Sequence, residues 1–341
     1  MAIKNNEPGR KSKVDAELQR ILENKKANII VIGVGGAGNN TLTRMKEIGI
    51  NGSKLVAVNT DAQDLLFTDA DVKLLIGKET TGGLGAGGDP TIGEQAAKEN
   101  KGEIEKLLQG NHMAFITCGL GGGTGTGAAP IITQIAKKMG LLTIAVVTTP
   151  FEMEGIRRTI NSEDGYKKLL GTADTIITIP NDKLLDLVPD ANINTAFKIA
   201  DDILVNAVKG ITELITVPGL INLDFADIKT VMKNKGLALI GIGESDKENR
   251  AIESVEKALN NPFITYDIDG ADGAIINVTG SDITIQEANQ IVETVAARLS
   301  PDAKIIWGAQ VDNSLKDVVR TLVIMTGVNG ISSKENSSDS K

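Results

Sequence analysis

Nine residues, Gly119-Leu120-Gly121-Gly122-Gly123-Thr124-Gly125-Thr126-Gly127, lie between the apolar, β-rich run Ala114–Thr117 and the helical stretch Ala128–Met139. Glycine in such density marks backbone that must come close to something else. A flexible linker is the alternative, but a linker does not sit between two strongly apolar elements. Backbone amides with few side chains around them form a concave nest for phosphate oxygens. The helix that opens near Ala128 adds its positive N-terminal end, and the threonine hydroxyls can donate as well. No G-x-x-x-x-G-K-[ST] sequence occurs. The grip on a polyphosphate therefore rests on amides and a helix end rather than on a Walker lysine.

A second glycine run, Gly33-Val34-Gly35-Gly36-Ala37-Gly38, follows the apolar run Asn28–Ile32 and precedes a helix over Thr41–Ile48. It reads G-x-G-x-x-G in the setting of a dinucleotide fold, with Asp61 near the end of the next strand, Lys54–Val58. Alone, this run fits a nicotinamide-dependent oxidoreductase, or merely a tight strand–helix turn. A dinucleotide domain needs one such loop, so the nine-residue run is surplus to that reading. A third run, Gly82–Pro90, precedes a helix expected over Gly93–Leu108. It can close over a terminal phosphate or be a plain mobile connection.

Further β-rich runs at Val72–Ile76, Thr143–Val147 and Thr175–Ile179 alternate with helical stretches. That order predicts an α/β fold with a parallel, doubly wound sheet. From Ile193 to Ile215, apolar residues keep helical spacing for about six turns, or roughly 33 Å. Mixed segments from Leu237 to Val328 read as a second, smaller α/β domain. The expected organisation is an extension over 1–27 with a short helix (Val14, Leu18, Ile21, Leu22), a nucleotide domain over 28–192, a central helix over 193–217, a second domain over 218–330 and a disordered tail over 331–341. The N-terminal helix is read as docked on the body, with membrane attachment the minor alternative.

With 36 Lys+Arg against 44 Asp+Glu, the chain carries −8, which argues against a nucleic-acid partner. The one cysteine, Cys118, rules out a disulfide within the chain and fits a reducing cytoplasm. No run reaches the ~18 apolar residues of a membrane helix, so no direct membrane insertion is expected. Nor does Met1–Lys13 resemble a signal peptide. No Cys/His cluster suggests zinc. His112 lies in a polar turn and receives no role, and Cys118 and Trp307 read as core packing.

The nine-residue run contains GGGTGTG (Gly121–Gly127), the signature of the tubulin/FtsZ family. Around it, in that family's order, stand GGAGNN (Gly35–Asn40), NTDAQ (Asn59–Gln63), GLGAGGDP (Gly83–Pro90), TTPFEMEG (Thr148–Gly155), NDKLL (Asn181–Leu185) and NLDFAD (Asn222–Asp227). The resemblance runs from about residue 28 to about 329 and is closest to archaeal FtsZ. It implies a cytoplasmic, self-assembling GTPase of the division ring, binding GTP/GDP with Mg²⁺ held through the nucleotide. It further implies head-to-tail homopolymers and separate membrane-tethering partners at mid-cell. By resemblance, Gly35, Gly36, Ala37, Gly38 and Asn39 form the first phosphate loop, with Asn39 also near the base. Asn59 and Asp61 form the second loop, close to the phosphates and metal. Gly85, Ala86 and Gly87 belong to the γ-phosphate loop. Gly121, Gly122, Gly123, Thr124, Gly125, Thr126 and Gly127 form the main cradle. Glu154 and Arg158 serve the ribose side, and Phe197 and Asp201 the guanine. A carboxylate offers only acceptors, which suits guanine's two adjacent donors and not adenine. Alone, Asp201 reads equally as a solvated helix residue. Bacterial members usually carry Asn at this position, and a longer C-terminal linker ending in a tethering peptide.

Asn222-Leu223-Asp224-Phe225-Ala226-Asp227 places two acids three residues apart before a helix over Ile228–Met232. Asp224 as N-cap and Asp227 in the first turn would be favoured by capping alone. The resemblance makes this the loop that completes the active site, with Asp224 and Asp227 polarising the attacking water and Asn222 holding the loop or that water. Asp201 and Ile215 are separated by roughly 21 Å of helix, whereas catalytic contact needs about 3 Å. Unless the chain folds sharply back, these acids serve a neighbour's nucleotide.

Overall fold

The computed structural model describes residues 27–187, 192–217, 219, 221 and 223–328. The expected N-terminal helix, the tail over 331–341 and Asn222 lie outside them. Six strands, β1 (Ile29–Val34), β2 (Ser53–Asn59), β3 (Val72–Leu75), β4 (Met113–Gly119), β5 (Leu142–Thr149) and β6 (Thr175–Pro180), form a parallel ladder in the order β3-β2-β1-β4-β5-β6. β1 shows why. All six of its residues are buried, with Ile29 and Val31 in one apolar cluster and Ile30, Ile32 and Val34 in another. A continuous apolar run buried on both faces belongs in the middle of a parallel sheet.

Helices cover both faces. On one lie α1 (Gly35–Ile48) and, further along the chain, a 24-residue helix. On the other lie α4 (Pro90–Glu99), α5 (Lys101–Leu108), α6 (Thr124–Lys138) and α7 (Ile156–Thr172). Shorter pieces are α2 (Ala62–Phe67), α3 (Lys78–Thr81) and α8 (Asp182–Leu187). The 24-residue helix is α9 (Ile193–Thr216), whose Ala200, Leu204, Val208 and Ile211 are buried in the first cluster.

After α10 (Phe225–Met232), the chain enters β7 (Gly236–Ser245), α11 (Arg250–Leu259), β8 (Ala271–Gly280), α12 (Ile285–Ala296), β9 (Leu299–Val311) and β10 (Val319–Thr326). β7 pairs in parallel with β6 from Thr175↔Gly236 to Ile177↔Ala238, so one sheet of ten strands runs through the protein. Its last part, β7-β10-β8-β9, is antiparallel at β10 and parallel between β8 and β9. A third cluster, including Val255, Ile276, Ile291 and Val323, fills the space between these strands and their helices.

Four helices differ from expectation at their boundaries, among them α10, which begins at Phe225 rather than Ile228. α1 begins at Gly35 rather than Thr41, and α6 at Thr124 rather than Ala128. The stretch expected as one helix over Gly93–Leu108 begins at Pro90 and is two helices meeting at Asn100, whose side-chain oxygen accepts from the Gly77 amide at 2.7 Å.

Candidate functional site

β1, β4 and β5 end on the same edge of the sheet, and the glycine runs follow the first two of them. Gly35 opens α1 with φ +72, and a Cβ there would lie 2.9 Å from the Gly125 amide nitrogen. The first turns of α1 and α6 therefore meet almost backbone to backbone. Four N–H groups at each helix start have no partner within the helix, and both sets face a cavity of about 770 Å³. Gly35, Gly36, Ala37, Gly122, Gly123, Thr124 and Gly125 line one end of it. No lysine enters this end. Arg158, also in the lining, is ion-paired with Glu154 one helical turn away. An anion at this end would meet backbone amides and two helix N-termini.

The other end carries an exposed aromatic ring and side-chain acceptors. Phe197 is 44% exposed in the lining and is held edge-on by the buried Phe151, with ring centroids 5.5 Å apart. Asp201 accepts a hydrogen bond from the Thr41 hydroxyl at 2.8 Å. Burial pushes its carboxyl up to about 6, an effect that the Thr41 hydrogen bond opposes. Asn181 is buried, lines the cavity, and its side-chain oxygen has no partner among the described residues.

Several expected site residues do not line the cavity, and each has a structural reason. Gly38 lets α1 lie on β4, since a Cβ there would sit 2.4 Å from the Thr117 carbonyl oxygen. Gly127 does the same for α4, with a Cβ meeting the Pro90 carbonyl. Asn39 is buried on the inner face of α1, its amide turned to Asp64 at 3.5 Å. Asn59 is also spent on Asp64, at 2.5 Å. Asp61 caps α2, accepting from the amides of Gln63 and Asp64 at 2.9 and 3.1 Å. The Gly121 amide donates to the Thr126 hydroxyl at 2.8 Å, so that amide is spent, and Thr126 itself is buried. Gly85, Ala86 and Gly87 stand behind Gly123, where a Cβ would meet Ala86 Cβ at 2.8 Å.

The sequence reading missed Asn40, Thr41 and Asn181. At 3.6 residues per turn, positions 36, 37, 40 and 41 share a face that excludes 39. Counting from the true start of α1 would have selected Asn40, which is exposed in the cavity.

Asp224 and Asp227 lie far away. Asp224 is the N-cap of α10 without a side-chain cap bond, and Asp227 is in its first turn. Both are exposed and, among the described residues, unpartnered. Between them Phe225 touches His112, ring centroids 6.1 Å apart. His112 immediately precedes β4, and the glycine cradle follows it. Seven residues of strand at ~3.3 Å each put roughly 23 Å between the two ends. Within one molecule the acids and the cradle are on opposite edges of the sheet.

Fold and cavity define a class, the tubulin-like GTPases: residues 28–189 match the Tubulin/FtsZ family, GTPase domain, and residues 236–329 match the FtsZ family, C-terminal domain. The chain is 59% identical over 317 residues to cell division protein FtsZ 1 of Pyrococcus abyssi, spanning 93% of this chain and 85% of that protein. It is 57% identical over 318 residues to cell division protein FtsZ of Methanothermobacter thermautotrophicus, spanning 93% and 84%. A solved structure of an FtsZ dimer from M. jannaschii superposes with a TM-score of 0.88 at 57% identity, covering 93% of this chain and 92% of that one. CetZ2 from Haloferax volcanii shares the fold, with a TM-score of 0.76 at 20% identity and coverage of 91% and 96%. The chain belongs to the FtsZ family. It is a GTPase, and the nicotinamide alternative left open by the first glycine run is set aside. No helix among the described residues is long and apolar enough to cross a membrane.

Proposed function

We propose that the chain binds GTP in this cavity and hydrolyses it only where copies stack head to tail in a division filament. The observation that carries this reading is the placement of the unpartnered Asp224 and Asp227 at the edge of the sheet opposite the phosphate cradle. A stacked neighbour brings the two edges together. Such a contact is heterologous and does not close, so it extends into a filament. Large apolar side chains on segments around the cradle support it: Phe67 (78% exposed), Leu84 (87%), Met153 (76%) and Ile156 (79%). Exposed apolar groups gathered near one face are the kind of surface that a partner covers. The similar M. jannaschii FtsZ was solved as a dimer.

In this site the amides at the starts of α1 and α6 hold phosphate oxygens, Phe197 stacks on the base, and Asp201, Asn40 and Asn181 read its edge. Asp224 and Asp227 of the neighbour orient and polarise the attacking water, since phosphoryl transfer depends mainly on positioning and charge stabilisation. Among the described residues no group of three or more His, Cys, Asp or Glu could cage a metal. A Mg²⁺ carried by the phosphates and water, a common arrangement for this ion, would neutralise charge on the terminal phosphates. We place the working division of the chain at α9, with the nucleotide unit before it and the unit carrying the acidic turn after it. We place the protein in the cytoplasm at mid-cell, with attachment to the membrane through separate tethering partners.

Two expectations test the base end. Asp201→Ala removes a charged acceptor worth ~1–3 kcal/mol, so GTP affinity should fall roughly 5- to 150-fold by isothermal titration. Equal binding of ATP and GTP by the unmodified protein would contradict this assignment, as would an unchanged preference in the variant. The second concerns pH. Guanine's donors need the ionised carboxylate, and that of Asp201 takes up a proton near pH 6 in the free protein. GTP affinity should drop as pH falls from 7.5 to 5.5, while Asp201→Asn should be flat in that window. The sign reverses for the nucleotide-free fold. A carboxyl raised above its ordinary value favours folding most at low pH, and that contribution is lost as pH rises through about 6. Parallel pH profiles for the two proteins would overturn the role of Asp201.

A further inference from the structure

α10 is a short rod, eight residues and roughly 12 Å long, with Asp224 and Asp227 at its front. Its inner face, Ile228, Val231 and Met232, is fully buried. An α-helix leaves its last carbonyls without partners of its own. In α10 the Lys229 carbonyl accepts from the Lys233 amide at 2.9 Å. Those of Val231 and Met232 are met by side chains. The Thr326 hydroxyl donates to Val231 at 3.0 Å, and the Thr175 hydroxyl donates to Met232. Thr326 also lies 3.5 Å from the Gly273 carbonyl, but its single proton favours the nearer acceptor.

Neither strand needs these hydroxyls. Thr175 of β6 is in register with Ile144 and Gly236, and Thr326 of β10 with Ala238 and Gly273, so backbone ladders hold both strands in place. Both side chains are fully buried, where a hydroxyl without a partner is costly. Each finds its partner on α10. Thr175 comes from the nucleotide unit and Thr326 from the unit after α9, and they converge on adjacent residues about 100° apart round the helix axis. Two such fixed points settle the rotation of the rod as well as its position. At the front, Phe225 rests edge-on against His112. The two carboxylates, exposed and without a side-chain bond among the described residues, take their direction from the rod that carries them.

We infer that Thr175 and Thr326 are positioning residues for hydrolysis, clamping the rear of α10 and so aiming Asp224 and Asp227 at the neighbouring subunit's nucleotide. The inference rests on the shared-site reading above. Neither threonine touches the cavity, so the clamp acts only through the acids.

Thr175→Val and Thr326→Val keep the branched shape and remove the hydroxyl. Each should slow GTP hydrolysis per assembled subunit at least about tenfold, since a misplacement of ~1 Å costs on the order of 10²-fold. GTP affinity and the protein concentration at which scattering appears should be unchanged. Thr175→Ser and Thr326→Ser, which keep the hydroxyl, should recover most of the rate. The pair Thr175→Ser and Thr175→Ala, alike but for the hydroxyl, reads the same difference where a valine variant does not fold. Thr321→Val removes another fully buried hydroxyl of β10, bonded to Ser254 at 2.8 Å and not to α10, and should lower Tm without slowing hydrolysis. In a protein already carrying Asp224→Ala and Asp227→Ala, neither valine should slow the residual rate further, because residues that act through one another are not additive. Full-rate hydrolysis in both valine variants would overturn the inference, as would an equal loss in Thr321→Val or an additive loss in the protein without the acids. The acid variants alone separate the two levels. If they hydrolyse at the unmodified rate, the shared-site reading itself is wrong. If they are slow while Thr175→Val and Thr326→Val are not, only the clamp falls.

Discussion

Asp224→Ala and Asp227→Ala should each bind GTP with unchanged affinity, assemble, and hydrolyse ~10²- to 10⁴-fold more slowly, the usual contribution of a positioned proton-transfer group. Binding is spared because neither residue touches the cavity. The fold is spared because both carboxylates are exposed and neither makes a side-chain hydrogen bond among the described residues. Capping is therefore a minor role here, although the sequence pattern would have suited it. In mixtures with unmodified protein, either variant should lower activity by more than dilution, because each defective acidic turn silences a neighbour's intact cradle. Phosphate release against mixing ratio checks this. A strictly linear decline would mean that each molecule works alone.

Gly122→Val should abolish nucleotide binding in a folded protein. No protein atom lies within 4 Å of a Cβ placed there, and Gly122 lines the phosphate end, so the new side chain grows into the cavity. Displacing the phosphates forfeits at least two charge-assisted hydrogen bonds at ~1.5–3 kcal/mol each, more than a hundredfold in affinity. Gly123→Val is a poorer probe. Its Cβ would strike Ala86 and Asp89 at 2.8–3.0 Å and displace the third loop instead. Tm without nucleotide and titration with GTP distinguish the two. Normal GTP affinity in folded Gly122→Val would contradict the placement of the phosphates.

The parts of this molecule that were legible in the sequence are those with a local signature. The apolar runs of β1, β4 and β5 announced a buried parallel sheet, and the nine-residue glycine run announced a close-packed strand-to-helix turn that lines the cavity. The boundaries of α1 and α6 were not legible, because glycine and threonine are poor helix formers in a single-sequence reading. They start these helices because close approach excludes a Cβ, as at Gly38 against Thr117 and Gly127 against Pro90. Asn39, expected from the resemblance alone, is buried, whereas its neighbour Asn40 lines the cavity. Contacts across long sequence separations were equally hidden. Thr41 meets Asp201 from 160 residues away, and β6 joins β7 through three register pairs that merge two expected domains into one sheet.

On the proposed reading, the roughly 23 Å between the acidic turn and the cradle makes hydrolysis a property of the junction rather than of the molecule. It is tested most directly by phosphate release per molecule as a function of protein concentration, with light scattering followed in the same samples. Activity per molecule should be near zero in dilute protein, rise steeply at the concentration where scattering appears, and then level off. A rate per molecule that is constant from dilute monomer to assembled polymer would contradict the shared site.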